Sequence, residues 1–352
     1  MTVSAWLSFL SMFFLNQVVL GAVLAAFLLR FTATARLPCW AVALLGVGLA
    51  PWLVTLLLYY LLWIFPGIAH AVVFLVLFVV FAGLAWRAGP GWGMLANLAR
   101  DFMRMRRDHS LRLFTLCTLG YSVLAVVMLS RFALTEHDIL EYGVQGGIFL
   151  REMAVTYQRH HYDAATGFYY VGLHGFTVPL LFTWEGLVNA HAASMGNPWV
   201  RSLTPFYTWL VVALLWGIMR KLDQWAAVWF ALALGGAMGF YFLGTVYHLD
   251  AMRIFLFVAA VTLFASVLKR PTVAGITLFA AVCAASASIH SLSAMLAGLM
   301  AVLMLFLLPL GWKQRLLATG RFALVFLLAG GIHYPVDVFF GTGWIFKDIV
   351  WY

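Results

Sequence analysis

Ten apolar runs dominate this chain, at residues 5–29, 38–63, 68–86, 113–133, 199–219, 225–246, 251–268, 272–289, 291–311 and 319–340. A helix rises about 1.5 Å per residue, so about 20 apolar residues cross a hydrocarbon core of about 30 Å. In such a core every backbone N–H and C=O has to be satisfied within the structure, and runs this long achieve that as helices. Of the 352 residues, 65% are hydrophobic and 9% charged, against roughly 25% charged in soluble domains. The expected fold is therefore an all-α polytopic membrane helix bundle of about ten transmembrane helices. A further apolar stretch, 176–193, carries Glu185, Asn189 and His191 and is expected to lie at the interface or dip partway in. The opening "MTVSAW" lacks a basic n-region, so the first run reads as a span and not as a cleavable signal.

Basic residues set the orientation of such a bundle, because they are retained on the cytoplasmic side. The polar link "RDFMRMRRDHSLR" holds Arg100, Arg104, Arg106, Arg107 and Arg112 and is assigned to the cytoplasm. Alternation of the spans then brings Arg30, Arg36, Arg87, Arg220, Lys221, Lys269, Arg270, Lys313, Arg315 and Arg321 to the same side, 15 of the 21 Lys and Arg. Nine of the 12 carboxylates fall on the other side, as do both termini. The net charge of +9 thus expresses topology and implies no nucleic-acid partner. Cys39, Cys117 and Cys283 sit inside apolar runs without metal-like spacing and read as small core residues.

Nine of the ten histidines also map to the outer side or to outer span ends, which points to a polar cavity open to that side. The long outer loop, 135–198, opens with "LTEHDILEYGVQG" from Leu134 to Gly146. If "HDILEYGVQ" is helical, then Asp138, Glu141, Tyr142 and Gln145 share one face. Such a face suits sugar hydroxyls or a metal, or equally a solvated helix on the membrane surface. Beyond it, His160, His161 and Asp163 are adjacent in sequence, which disfavours their meeting on one ion, and Phe168, Tyr169 and Tyr170 read as an interfacial belt. Gly175 and Pro179 mark a turn into the 176–193 helix. The chain has no P-loop, no H-E-x-x-H, no dinucleotide fingerprint and no G-x-S-x-G, nor an internal repeat. The residues leave a divalent metal open and fix no other cofactor.

The order of three segments is distinctive: "EHDILEYGVQG", then "YYVGLHGFTVPLLFTWEGLV", then "NPWVRSLTPFYTWLVVALLWGIMRKL". In this order, over roughly residues 115–310, the chain resembles the GT-C superfamily of integral membrane glycosyltransferases. It is especially similar to bacterial relatives of the protein mannosyltransferases and of the lipid A aminoarabinose transferase. Glu136 and Asp138 stand at the acidic motif, "HGFTVPLL" (with His174) at the His-Pro-Pro segment, and Arg201 at the arginine that opens the next span. "YHLDAMRIFLF" matches the later outer loop, where an Asp, here Asp250, opens a span. The acidic motif reads Glu-His-Asp instead of an adjacent pair, one proline (Pro179) replaces two, and three spans precede the loop.

The resemblance implies two parts, three N-terminal spans with the basic loop (1–112) and a GT-C-like core (113–352) with a catalytic outer loop and juxtamembrane helices. It implies transfer of a sugar from a polyprenyl-phosphate donor to a glycan, lipid or protein acceptor, at the outer face of a bacterial inner membrane. Asp138 is the expected general base, with Glu136 and Glu141 positioning substrates. Arg253 and Arg201 are the expected partners of the leaving phosphate, joined by His248, Asp250, His290, His333, His174, Tyr142 and Lys347 as substrate contacts. For Arg253 a salt bridge with Asp250 is the competing role. A flippase for lipid-linked sugar, a membrane O-acyltransferase using an intramembrane His, a sugar polymerase or ligase of related fold and a non-catalytic assembly subunit remain as other readings.

Overall fold

The computed structural model describes residues 2–32, 37–104, 111–112, 114–116, 118–122, 137–155, 162–163, 168–169, 175–220, 223, 225–229, 233 and 250–339. Among the described residues, five helices are long and apolar enough to cross a membrane: α1 (Val3–Leu29), α2 (Cys39–Ile64), α3 (His70–Ala88), α7 (Pro198–Met219) and α8 (Asp250–Lys269). Between and after them lie α4 (Pro90–Arg104), α5 (His137–Glu152), α6 (Thr177–Val188), α9 (Val273–Ala287), α10 (Ser291–Leu307), α11 (Trp312–Phe326) and α12 (His333–Phe339). The described structure is helical apart from one antiparallel pair of two-residue strands in the outer loop, β1 (Tyr162–Asp163) against β2 (Phe168–Tyr169). The bland compositions of α2 and α8, rich in Leu, Val, Ala and Phe, suit helices whose apolar surface meets both protein and lipid.

The contacts give the bundle two chemically different ends. At one, Arg30 donates to the carbonyl of Arg87, tying the last turn of α1 to that of α3. The Trp40 ring at the start of α2 lies against Gly217 at the finish of α7. A cavity of about 480 Å³ there is lined by Pro38, Trp40, Leu214, Ile218, Ala259 and Lys269, among others. This is the basic end. At the other, the Gly67 N–H donates to Met153 O (2.9 Å) and the Val155 N–H to Leu62 O (3.4 Å), joining the top of α2 to the end of α5. Asn189 donates to the Ser8 hydroxyl near the start of α1. Arg30, Arg87 and Lys269 thus meet at one end of the described helices.

Tyr207 of α7 packs on Phe255 of α8, with ring centroids 5.8 Å apart, and both helices finish at the cavity with Lys269. They therefore run in the same direction. The expected spans 113–133 and 225–246 fall largely outside the described residues. The three C-terminal runs are shorter than expected: α9 has 15 residues and α10 has 17, and 319–340 is not one rod. Here α11 starts earlier, at Trp312, and is followed by a π-wound turn, Leu327–Gly331, with a kink at Ala329 and Gly330, before α12. Polar Ser288 and His290 stop α9 and start α10, at the break the sequence places between residues 289 and 291.

α1 and α2 approach at backbone distance, where a Cβ built on Gly46 would sit 2.3 Å from Ala25 Cα. We expect Gly46→Val to destabilise the protein by about 1–3 kcal/mol, the usual cost of overpacking. Gly298→Ala, on α10 where no described atom lies within 4 Å, should stabilise by about 0.5–1 kcal/mol through helix propensity. Thermal unfolding of the purified protein in detergent reads both, and equal midpoints for the two variants would refute the packing.

Candidate functional site

The helices α5 and α6, within residues 135–198, form the scaffold of the candidate site. "HDILEYGVQGGIFLRE" is helical, and Gly143 and Gly146 face a neighbour. A Cβ on Gly146 would lie 2.4 Å from Pro179 O and 2.7 Å from Phe182 Cβ, so α5 and α6 approach at backbone distance. The Thr183 hydroxyl donates to Gly146 O (3.0 Å) across that contact, and Leu150 covers Gly186. Tyr142 and Phe149 of α5, with Met153 just after it, join the main core. Asp138 and Glu141 thus stand in the first turns of a helix clamped at its middle. Their side chains, like all of Glu136, His174, His248 and Lys347, lie outside the described residues.

α6 corrects one expectation. Residues 176–193 were expected at the interface or dipping in, and the helix is indeed only 12 residues, about 18 Å, too short to span. Yet Thr177 through Glu185 are all buried, nine consecutive positions, so α6 is a protein-enclosed helix and not a surface one. Its packing against α5, α2 and α7 explains this. Pro179 belongs to its first turn and not to the turn before it. At its start the Thr177 hydroxyl bonds that of Ser288 (2.7 Å), and the Thr177 N–H donates to Ser288 O (3.1 Å).

At its other end α6 delivers a carboxylate to the first turn of α7. Glu185 is 0% exposed. It accepts from the Trp199 N–H (2.8 Å) and the Val200 N–H (3.3 Å). Burial pushes its carboxyl up from the usual 4.5 to about 7, against the two N–H donors and the Arg201 charge, which pull it down. Arg201 is itself buried in α7. The arginine expected to open a span at the phosphate site is therefore held beside a buried carboxylate.

Two amides from α1 complete this cluster. The π-wound segment Phe14–Leu20 turns both Asn16 and Gln17 into the protein, a winding that frequently marks functional positions. Asn16 Oδ1 accepts from Trp184 Nε1 (2.9 Å) and its amide donates to Met12 O (2.8 Å). Gln17 Oε1 accepts from Trp199 Nε1 (3.1 Å), while Gln17 Nε2 is buried without a hydrogen-bond partner among the described residues. Sequence reasoning missed Asn16, Gln17 and the capping role of Glu185. The available signal was the "NQ" pair inside an apolar run.

The remaining expected residues occupy separate places. Arg253 pairs with Asp250 at 2.7 Å, one turn apart at the start of α8. His290 caps α10, its Nδ1 accepting from the Leu292 N–H (3.1 Å). His333 is buried edge-on to Tyr59 (6.1 Å) and Phe176 (5.8 Å), and Tyr334 beside it donates to Ala287 O. Among the described residues no group of three His, Cys, Asp or Glu is placed to hold a metal ion. Comparison of the chain with family models, curated proteins and solved structures finds no match.

Between pH 4.5 and about 7 the folded Glu185 holds a proton that the unfolded one has released. Stability should therefore fall as pH rises through that window and level off above it. Glu185→Gln should flatten that dependence and lower stability by about 1–3 kcal/mol, because an amide cannot accept from both N–H groups. Melting temperatures of both proteins across pH test this, and parallel profiles would exclude Glu185 as the titrating group.

Proposed function

We propose that this protein is a membrane glycosyltransferase of the GT-C kind, moving a sugar from a polyprenyl-phosphate carrier to an acceptor at the end of the bundle opposite its basic residues. The observation that carries the reading is the paired, non-spanning helices α5 and α6, placed between spans at that end. The first bears the acidic cluster, and the second caps the helix that contains Arg201. The reading includes ten membrane crossings, termini facing outward, and an inner bacterial membrane with the site on its outer face.

In this mechanism the carrier's tail stays in lipid while its head group enters beside α5. The acceptor oxygen attacks the anomeric carbon opposite the phosphate, the bond from that carbon to the phosphate oxygen breaks, and the configuration inverts. Asp138 takes the acceptor's proton, a general-base contribution typically worth about 10²- to 10⁴-fold. Glu136 and Glu141 orient donor and acceptor. Negative charge grows on the departing phosphate, and fixed cations there lower the barrier. Arg201 suits this task because burial limits its movement, with Arg253, His248, His290, His333 and Lys347 as further contacts and Tyr142 and His174 lining the acceptor side.

Asp138→Asn should abolish transfer of label from a metabolically labelled lipid-linked sugar pool while leaving the yield of folded protein unchanged. Glu136→Gln and Glu141→Gln should cost less. Arg201→Lys should lower kcat by about 10²-fold, the scale of one lost transition-state contact. Full transfer by Asp138→Asn would remove it as the base, and an indispensable Glu141 would move that role one helical turn along.

A further inference from the structure

We infer that α4 is an in-plane membrane helix that binds anionic lipid head groups in the leaflet at the basic end. Its sequence, PGWGMLANLARDFMR, divides cleanly at 100° per residue. Trp92, Leu95, Leu98, Ala99, Phe102 and Met103 fall in one arc, and Gly93, Asn97, Arg100, Asp101 and Arg104 fall in the other. The helix has 15 residues, about 22 Å, and half its girth is polar, so it cannot cross the bilayer. A strongly amphipathic helix of low net hydrophobicity lies in the interface instead.

Three features of the structure hold it there. α3 ends at Ala88, and Gly89 takes φ +46, ψ −117, a backbone state open to glycine, before Pro90 begins the next helix. The first turn of α4 is then fixed to the basic end. A Cβ on Gly91 would sit 1.8 Å from Ala26 O of α1, and Trp92 Nε1 donates to Ala85 O of α3 (3.1 Å). This is the level at which Arg30 reaches the Arg87 carbonyl. Past that anchor Leu95 and Leu98 are half-buried, and the far end of the apolar arc is exposed, Phe102 by 51% and Met103 by 62%.

Charge selects the occupant. Arg100 is exposed and donates to Asn97 on the polar arc. Arg87 precedes the helix, and Arg104, Arg106, Arg107 and Arg112 close or follow it, against the acids Asp101 and Asp108. An apolar arc flanked by a surplus of arginines, continuous with a candidate span, fits the boundary between acyl chains and anionic head groups. A protein partner would need no such surplus, and a solvated helix would not expose Phe102 and Met103. The inference does not depend on the sugar-transfer reading.

The test uses the full chain with Cys39, Cys117 and Cys283 replaced by Ser, and a spin label at Phe102→Cys or Asn97→Cys. The protein is reconstituted in vesicles of phosphatidylcholine, with or without a minority of phosphatidylglycerol. With the anionic lipid, the label at 102 should collide with oxygen and be shielded from a water-soluble nickel chelate, and the label at 97 should show the reverse. Omitting phosphatidylglycerol, raising ionic strength or introducing Arg100→Glu with Arg104→Glu should shift the 102 label toward nickel. Equal nickel access at both positions would overturn the inference. Shielding of 102 from both reagents would replace lipid with a protein contact. Insertion indifferent to phosphatidylglycerol and salt would remove the head-group selectivity. The last two comparisons use unaltered arginines, so poor folding of the Glu variant leaves the result decisive.

Discussion

The first turn of α7 begins inside protein, and its backbone N–H groups have no helical partners of their own. Each one is nonetheless accounted for. The cap residue Asn197 donates to Ala192 O at 2.8 Å, Pro198 has none to satisfy, and Trp199 and Val200 donate to the Glu185 carboxyl group. An unpaired buried N–H costs about 1–3 kcal/mol, so Glu185 removes two such penalties. Because Glu185 is the ninth residue of α6, this one side chain fixes the short helix to the long one. It also sets Arg201 at a defined depth. The outer-loop scaffold follows from that anchor: α5 rests on α6 through Gly146, and α1 reaches it through Asn16 and Gln17.

The cluster around Glu185 is built from tryptophan as much as from charge. Trp184 and Trp199 each bury a large ring and still place an indole N–H on an amide oxygen of α1. An apolar residue at Asn16 or Gln17 would keep the span but leave a buried indole donor unsatisfied. The π-wound turn is what brings two adjacent residues to one face. Local winding, buried rings and hydrogen bonding therefore support one geometry, and the same three elements recur at the far side of α6. There Tyr59 stacks on Phe176 at 4.1 Å, Tyr60 donates to Leu328 O at 2.7 Å, and the chain is π-wound from Leu327 to Gly331.

Much of the candidate site was legible at the level of helices and little of it at the level of partners. The α5 helix could be read from Asp138, Glu141, Tyr142 and Gln145 because a helix repeats within a few residues. The pairing of Arg253 with Asp250 was legible for the same reason, being one turn long. The Arg201–Glu185 pair was not, although both residues are polar interruptions of apolar runs. Glu185 read as the mark of an interfacial helix because an isolated acid in lipid is costly. Hydropathy carries no information about a helix terminus waiting to receive it.

The sequence by itself determined the helical class and the apolar runs that form the five long helices among the described residues, and it marked the segment that bears the acidic cluster. These depend on hydropathy, charge and 3.6-residue periodicity, all local properties. Only the tertiary structure decided that α6 is enclosed by protein, that the C-terminal runs break into shorter helices, and that α4 separates from the link as an amphipathic element. It alone joined Asn16 to Trp184 and Gln17 to Trp199, across 168 and 182 residues. The reason is physical: hydropathy measures the preference of a residue for an apolar medium over water and is blind to whether that medium is lipid or protein. A buried polar group is settled by the donor or acceptor it meets, and that partner is chosen by the fold.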